Sequence, residues 1–90
     1  MKRVVLLIAG QVQGVGYRAW VCWQAKKLVL TGWVKNKADG AVAIVAEGSK
    51  TKLEEFIKAC QRGPEVAWVT KVEKQWEAAT GEYASFTVIY

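Results

Sequence analysis

The chain has no histidine, one proline and two cysteines in its 90 residues. Without histidine the commonest general base and metal ligand is missing, and two cysteines alone do not complete the usual zinc sites. Neither a metal nor a cofactor is expected. Cys22 and Cys60 lie far apart and fall on the apolar faces of predicted helices, as reduced core residues do. Long hydrophobic runs are also missing. The segment Val4 to Ala9 follows two basic residues, but is shorter than a signal-peptide core or a membrane span. It reads as a buried strand, and the protein as cytoplasmic with no membrane partner. No linker, repeat or low-complexity tract divides the chain.

What is present suits a folded domain. At 52% hydrophobic and 23% charged, the composition supports a packed core and argues against disorder. The length supports one core, so residues 1–90 are read as a single domain. Thirteen Lys and Arg against eight Asp and Glu give a net charge of +5. That excess favours an anionic partner without separating a small phosphate from a nucleic acid.

The pattern along the chain predicts its elements. Val4 to Ala9 ends at Gly10 and reads as a central strand. Tyr17, Trp20, Val21 and Leu28, widened by Cys22, Trp23 and Ala25, have helical spacing, with the helix ending near Leu28 to Leu30. Thr31 to Asn36 and Ala41 to Glu47 are strand-like around Lys37-Ala38-Asp39-Gly40, whose Asp-Gly pair signals a hairpin. Leu53, Phe56, Ile57 and Cys60 mark a second helix, with Thr51 and Glu54 as a capping box and Gly63-Pro64 as its stop. Val66 to Trp76 and Ala84 to Tyr90 read as strands. The order βαββαβ with an added terminal strand predicts an α+β, ferredoxin-like sandwich: an antiparallel sheet with both helices on one face.

The segment Val12-Gln13-Gly14-Val15-Gly16-Tyr17-Arg18 joins the first strand to the first helix. Two glycines let successive N–H groups converge, the helix start points further N–H groups the same way, and Arg18 offers a fork of donors to an anion. A tight turn with a solvated arginine explains the same seven residues. Ala19 stands where a dinucleotide loop has its third glycine, and no Gly-Lys-Ser/Thr sequence exists for a nucleoside triphosphate. What remains is a small anion pocket. Asn36, at the end of its strand, is the side chain best placed to hold a water beside it, since an amide both donates and accepts. A turn-forming asparagine is the plainer alternative.

Nearly the whole chain resembles the acylphosphatase family. The resemblance is carried by Gly10 with VQGVGYR, Gly32-Trp33-Val34-Lys35-Asn36, Asp39-Gly40, Gly48, Gly63-Pro64, Ala67 and Val69. It implies that the backbone of Gln13, Gly14, Val15, Gly16, Tyr17 and Arg18, with the Arg18 guanidinium, holds a phosphate, while Asn36 positions the attacking water. It also implies hydrolysis of a small acyl phosphate, with inorganic phosphate as product and competitor. Val29 stands where glycine is common in the family, Tyr17 where phenylalanine is, and Gln11 where arginine is. No carboxylate, cysteine or histidine lies in the motif, which suits a substrate whose carboxylate leaving group needs no acid.

Two other readings compete. An RNA-binding domain shares this plan, but stacks bases on central-strand aromatics, and Ala41 to Glu47 contains none. No nucleic acid is therefore expected as partner. A phosphate-binding regulatory or carrier domain without turnover is separated less well. The five tryptophans read mostly as core or partial surface packing, with Trp68 exposed on its alternating strand. A monomer is expected.

Overall fold

A computed structural model describes residues 1–90. The elements are β1 (Lys2–Gln11), α1 (Tyr17–Lys27), β2 (Thr31–Asn36), β3 (Val42–Gly48), α2 (Lys50–Arg62), β4 (Trp68–Ala78) and β5 (Phe86–Ile89). The five strands form one sheet in the order β4-β1-β3-β2-β5. Four pair antiparallel, as the ferredoxin-like plan requires. The terminal strand departs from the all-antiparallel expectation: β5 pairs parallel to β2, Gly32 opposite Phe86 and Lys35 opposite Ile89. The physical reason is the connection 79–85. It carries the chain across one end of the sheet, so β5 starts where β2 starts.

Period-two burial selects the helix-covered face. Val4, Leu6 and Ile8 of β1 are fully buried, as are Val42, Ile44 and Ala46 of β3, and Tyr17, Val21 and Ala25 of α1 join them with Leu53, Phe56, Ile57 and Cys60 of α2 in one core. Each such large apolar side chain contributes roughly 1.5–3 kcal/mol. A register shift at Ala9/Gly10 lets Val69 and Ala67 pack on the core while Trp68 stays exposed. Gly10 is needed there, because a Cβ would collide with the Trp68 carbonyl.

Two local readings are corrected. The N-cap of α2 is Ser49, whose Oγ accepts from the Lys52 N–H at 3.3 Å, so Thr51 lies inside the helix and no Thr51–Glu54 capping box forms. Trp23 falls outside the buried stripe of α1, with the Lys27 ammonium 4.4 Å above its ring. No tryptophan is fully buried, and Trp68 is the most exposed of the five. The end of α1 closes with the Leu30 N–H on the Ala25 carbonyl and the Val29 N–H on the Lys26 carbonyl. This arrangement places Val29 at φ 56, which makes it the one non-glycine residue with positive φ.

Candidate active site

The loop between β1 and α1 is pinned at its start by Val12, which is buried in the core. Gly14 and Gly16 then have φ 77 and 78, while Val15 between them keeps an ordinary φ. Alternation of this kind is the backbone pattern that turns neighbouring N–H groups toward one side of a chain, as in anion-binding nests. The glycines are required by conformation rather than space, since a Cβ at either position would meet nothing within 4 Å. Gly16 is also the N-cap of α1 and supplies no capping side chain. The first helical bond runs from the Trp20 N–H to the Gly16 carbonyl at 3.1 Å. No main-chain N–H from Gln13 to Ala19 donates to any protein acceptor. A row of unpaired donors at a helix start is a site for an oxyanion.

Arg18 lies in the first turn of α1, partly buried. Its Nη1 donates to the Ile89 carbonyl at 3.2 Å, and its guanidinium lies 4.8 Å from the Tyr90 ring centroid. The end of β5 therefore holds the arginine beside the loop. Gly14, Gly16, Arg18, Val88 and Tyr90 are among the residues lining a cavity of about 120 Å³. Its mixed wall, polar at the loop and apolar along β5, has room for a small anion with an organic substituent.

Asn36 reaches this end of the sheet on β2, one residue past Lys35, which pairs with Ile89. No hydrogen bond joins it to Arg18, and it is not part of the cavity wall between the loop and β5. Its Oδ1 is buried and has no protein partner. Such an acceptor needs a donor, and an ordered water supplies one.

Tyr17 offers the loop only its main chain. Its ring is buried, and its hydroxyl donates to the Cys60 carbonyl at 2.8 Å. The helical partner for that carbonyl would be the N–H of residue 64, but Pro64 has none, so the tyrosine takes its place. Burial and the neighbouring Cys60 push the phenol above its ordinary range, and burial raises the Cys60 thiol to about 12. Both cysteines are free, and Cys60 is enclosed, which leaves it no role as a nucleophile.

A second anion site, already filled from within, closes the other end of the sheet. The buried Glu47 carboxylate accepts from Arg3 Nε at 2.8 Å, from the Thr80 N–H and hydroxyl at 3.0 and 3.2 Å, and from the Gly81 N–H at 3.0 Å. Burial would raise its pKa, but the Thr80 N–H, Arg3, the Gly81 N–H and the Thr80 hydroxyl together hold it at about 2. Sequence reasoning missed this cluster; its one signal was a lone acid ending an otherwise apolar strand.

Fold and loop together define a small ferredoxin-like domain with a loop of unpaired main-chain N–H groups and an arginine at one sheet end. The chain matches the Acylphosphatase family model over residues 4–88 and belongs to the acylphosphatase family. It is 47% identical over 89 residues to an acylphosphatase of Methylococcus capsulatus, covering 99% of this chain and 97% of that one. The crystal structure of acylphosphatase from Bacillus subtilis superposes with a TM-score of 0.96 at 36% identity, each chain covered completely. The same fold occurs within full-length HypF, at a TM-score of 0.83 and 26% identity, where it matches all of this chain but 12% of HypF.

Proposed function

We propose that the chain hydrolyses small acyl phosphates to a carboxylate and inorganic phosphate, without metal or cofactor. The observation that carries this reading is the unpaired row of N–H groups from Gln13 to Ala19 beside the Arg18 guanidinium. The loop and Arg18 hold the phosphoryl oxygens and stabilise the charge they carry as the leaving group departs. Asn36 holds the attacking water through its unpartnered Oδ1. The water oxygen bonds to phosphorus as the bond from phosphorus to the carboxyl oxygen breaks, and its proton passes to a phosphoryl oxygen. The departing carboxylate is stable as an anion, so the absence of histidine and of any acid in the loop is no obstacle. The substrate is a small molecule rather than a nucleic acid, and the chain acts as a monomer. Its free cysteines suit the reducing cytoplasm.

The test is hydrolysis of benzoyl and acetyl phosphate with EDTA present and inorganic phosphate as competitor. Turnover with competitive inhibition by phosphate is expected. Phosphate binding without turnover would replace this reading with that of a phosphate-binding carrier or regulatory domain.

A further inference from the structure

The side chain of Gln13 leaves the loop and crosses to the β2–β3 hairpin. Its Nε2 donates to the Lys37 carbonyl and to the Ala41 carbonyl, each at 2.8 Å. Those carbonyls also close the hairpin itself: the Lys37 N–H donates to Ala41 and the Gly40 N–H to Lys37. An amide nitrogen carries two hydrogens, and both are spent here. Each carbonyl has two lone pairs, and both are occupied. Oε1 in that place would put three acceptors together, so chemistry fixes the orientation of the amide. One nitrogen thus ties the cradle loop to the residue that directly follows Asn36.

We propose that Gln13 is a positioning residue, whose side chain sets the separation between the phosphate cradle and the Asn36 that holds the water. The proposal rests on the acyl-phosphate reading above and adds a residue that acts through others. With both hydrogens engaged, the Gln13 carboxamide is not a phosphate ligand; the anion meets only its main-chain N–H. In-line attack demands alignment of water, phosphorus and leaving group, and a misplacement of about 1 Å costs on the order of 10²-fold in rate. A strut across this gap therefore acts on turnover and leaves ground-state binding of phosphate in place.

Gln13→Met keeps the length and the main-chain N–H while removing both donors and adding no charge. Its kcat for benzoyl phosphate is expected to fall roughly 10- to 100-fold, with the dissociation constant for inorganic phosphate within about threefold of the parent. Gln13→Asn, one methylene too short to bridge, is expected to behave alike and serves if the methionine variant folds poorly. A phosphate affinity that drops as far as kcat would overturn the proposal and make the amide a ligand. So would parental values of both. If the parent hydrolyses no acyl phosphate, the acyl-phosphate reading fails instead, and amide hydrogen exchange decides about the strut. Faster exchange at Lys37 and Gly40 in the variant, with phosphate binding retained, supports it; unchanged exchange overturns it.

Discussion

The two ends of the sheet solve the same electrostatic problem in opposite ways. At the β3–β4 end, two consecutive N–H groups, a hydroxyl and a guanidinium converge on Glu47, an anion that belongs to the chain. At the other end Gly14, Gly16 and Arg18 line a cavity that no acidic side chain enters, and the main-chain N–H groups of the loop have no protein acceptor. Donor chemistry is shared, so the difference lies in who supplies the oxyanion. Where the chain supplies it, the cluster is a clasp that holds the connection after β4 at Thr80 and Gly81. Where the chain does not, the donors remain available to a ligand. The clasp also serves the open end, because β5 runs from one to the other and delivers Ile89 and Tyr90 to Arg18.

The comparison breaks most visibly at Arg18. Arg18→Ala is expected to lower kcat/KM for an acyl phosphate by at least about 10²–10³-fold, because charge and positioning are lost together. Its thermal midpoint should move little, since its one hydrogen bond lies at the surface. Asn36→Ala should lower kcat with phosphate binding retained, which steady-state kinetics with phosphate inhibition resolves.

Removing the internal anion should do the reverse. Glu47→Gln leaves Arg3 without its buried partner and is expected to cost about 2–3 kcal/mol by denaturant unfolding, at little loss of turnover per folded molecule. The parent should show a matching pH dependence. The Glu47 carboxyl titrates at about 2 in the folded chain, below the value of about 4.3 for a free glutamate, so acid favours the unfolded state. Its stabilisation is complete above about pH 5 and is lost as pH falls towards 2. The Gln variant should show a flatter profile across that window, and an unchanged slope would remove Glu47 as its source.

The smallest effect expected lies away from both ends. Val29 has φ 56, a conformation that costs an L-residue with a branched side chain about 1–2 kcal/mol. Its side chain is exposed and holds nothing in place. Val29→Gly should raise stability by about 1 kcal/mol, read as a higher thermal midpoint, with activity unchanged.

How much of this was legible in the sequence follows from how local each feature is. The cradle was readable, because two glycines, a helix start and an arginine act within seven neighbouring residues. The place of Asn36 at the end of its strand was readable from the hairpin that follows it, and the exposure of Trp68 from strand alternation. The role of the Gln13 side chain was not, because its partners lie 24 and 28 residues away, and a glutamine in a loop is mute about its acceptors. The role of the Tyr17 hydroxyl was not legible either, because the carbonyl that Pro64 leaves open belongs to a residue 43 positions away. Parallel pairing of β5 was hidden because nothing in 79–85 patterns as an element. The connection is held at Thr80 and Gly81 by Glu47, a tertiary contact 33 and 34 residues distant in sequence.

The claim that one end is filled and the other open is tested most directly by titrating the ¹⁵N-labelled protein with inorganic phosphate in metal-free buffer. The account predicts saturable shifts of the amide resonances from Gln13 to Ala19 and of the Asn36 side chain, with Thr80 and Gly81 silent. Saturable shifts at Thr80 and Gly81, or none in the loop, would contradict it.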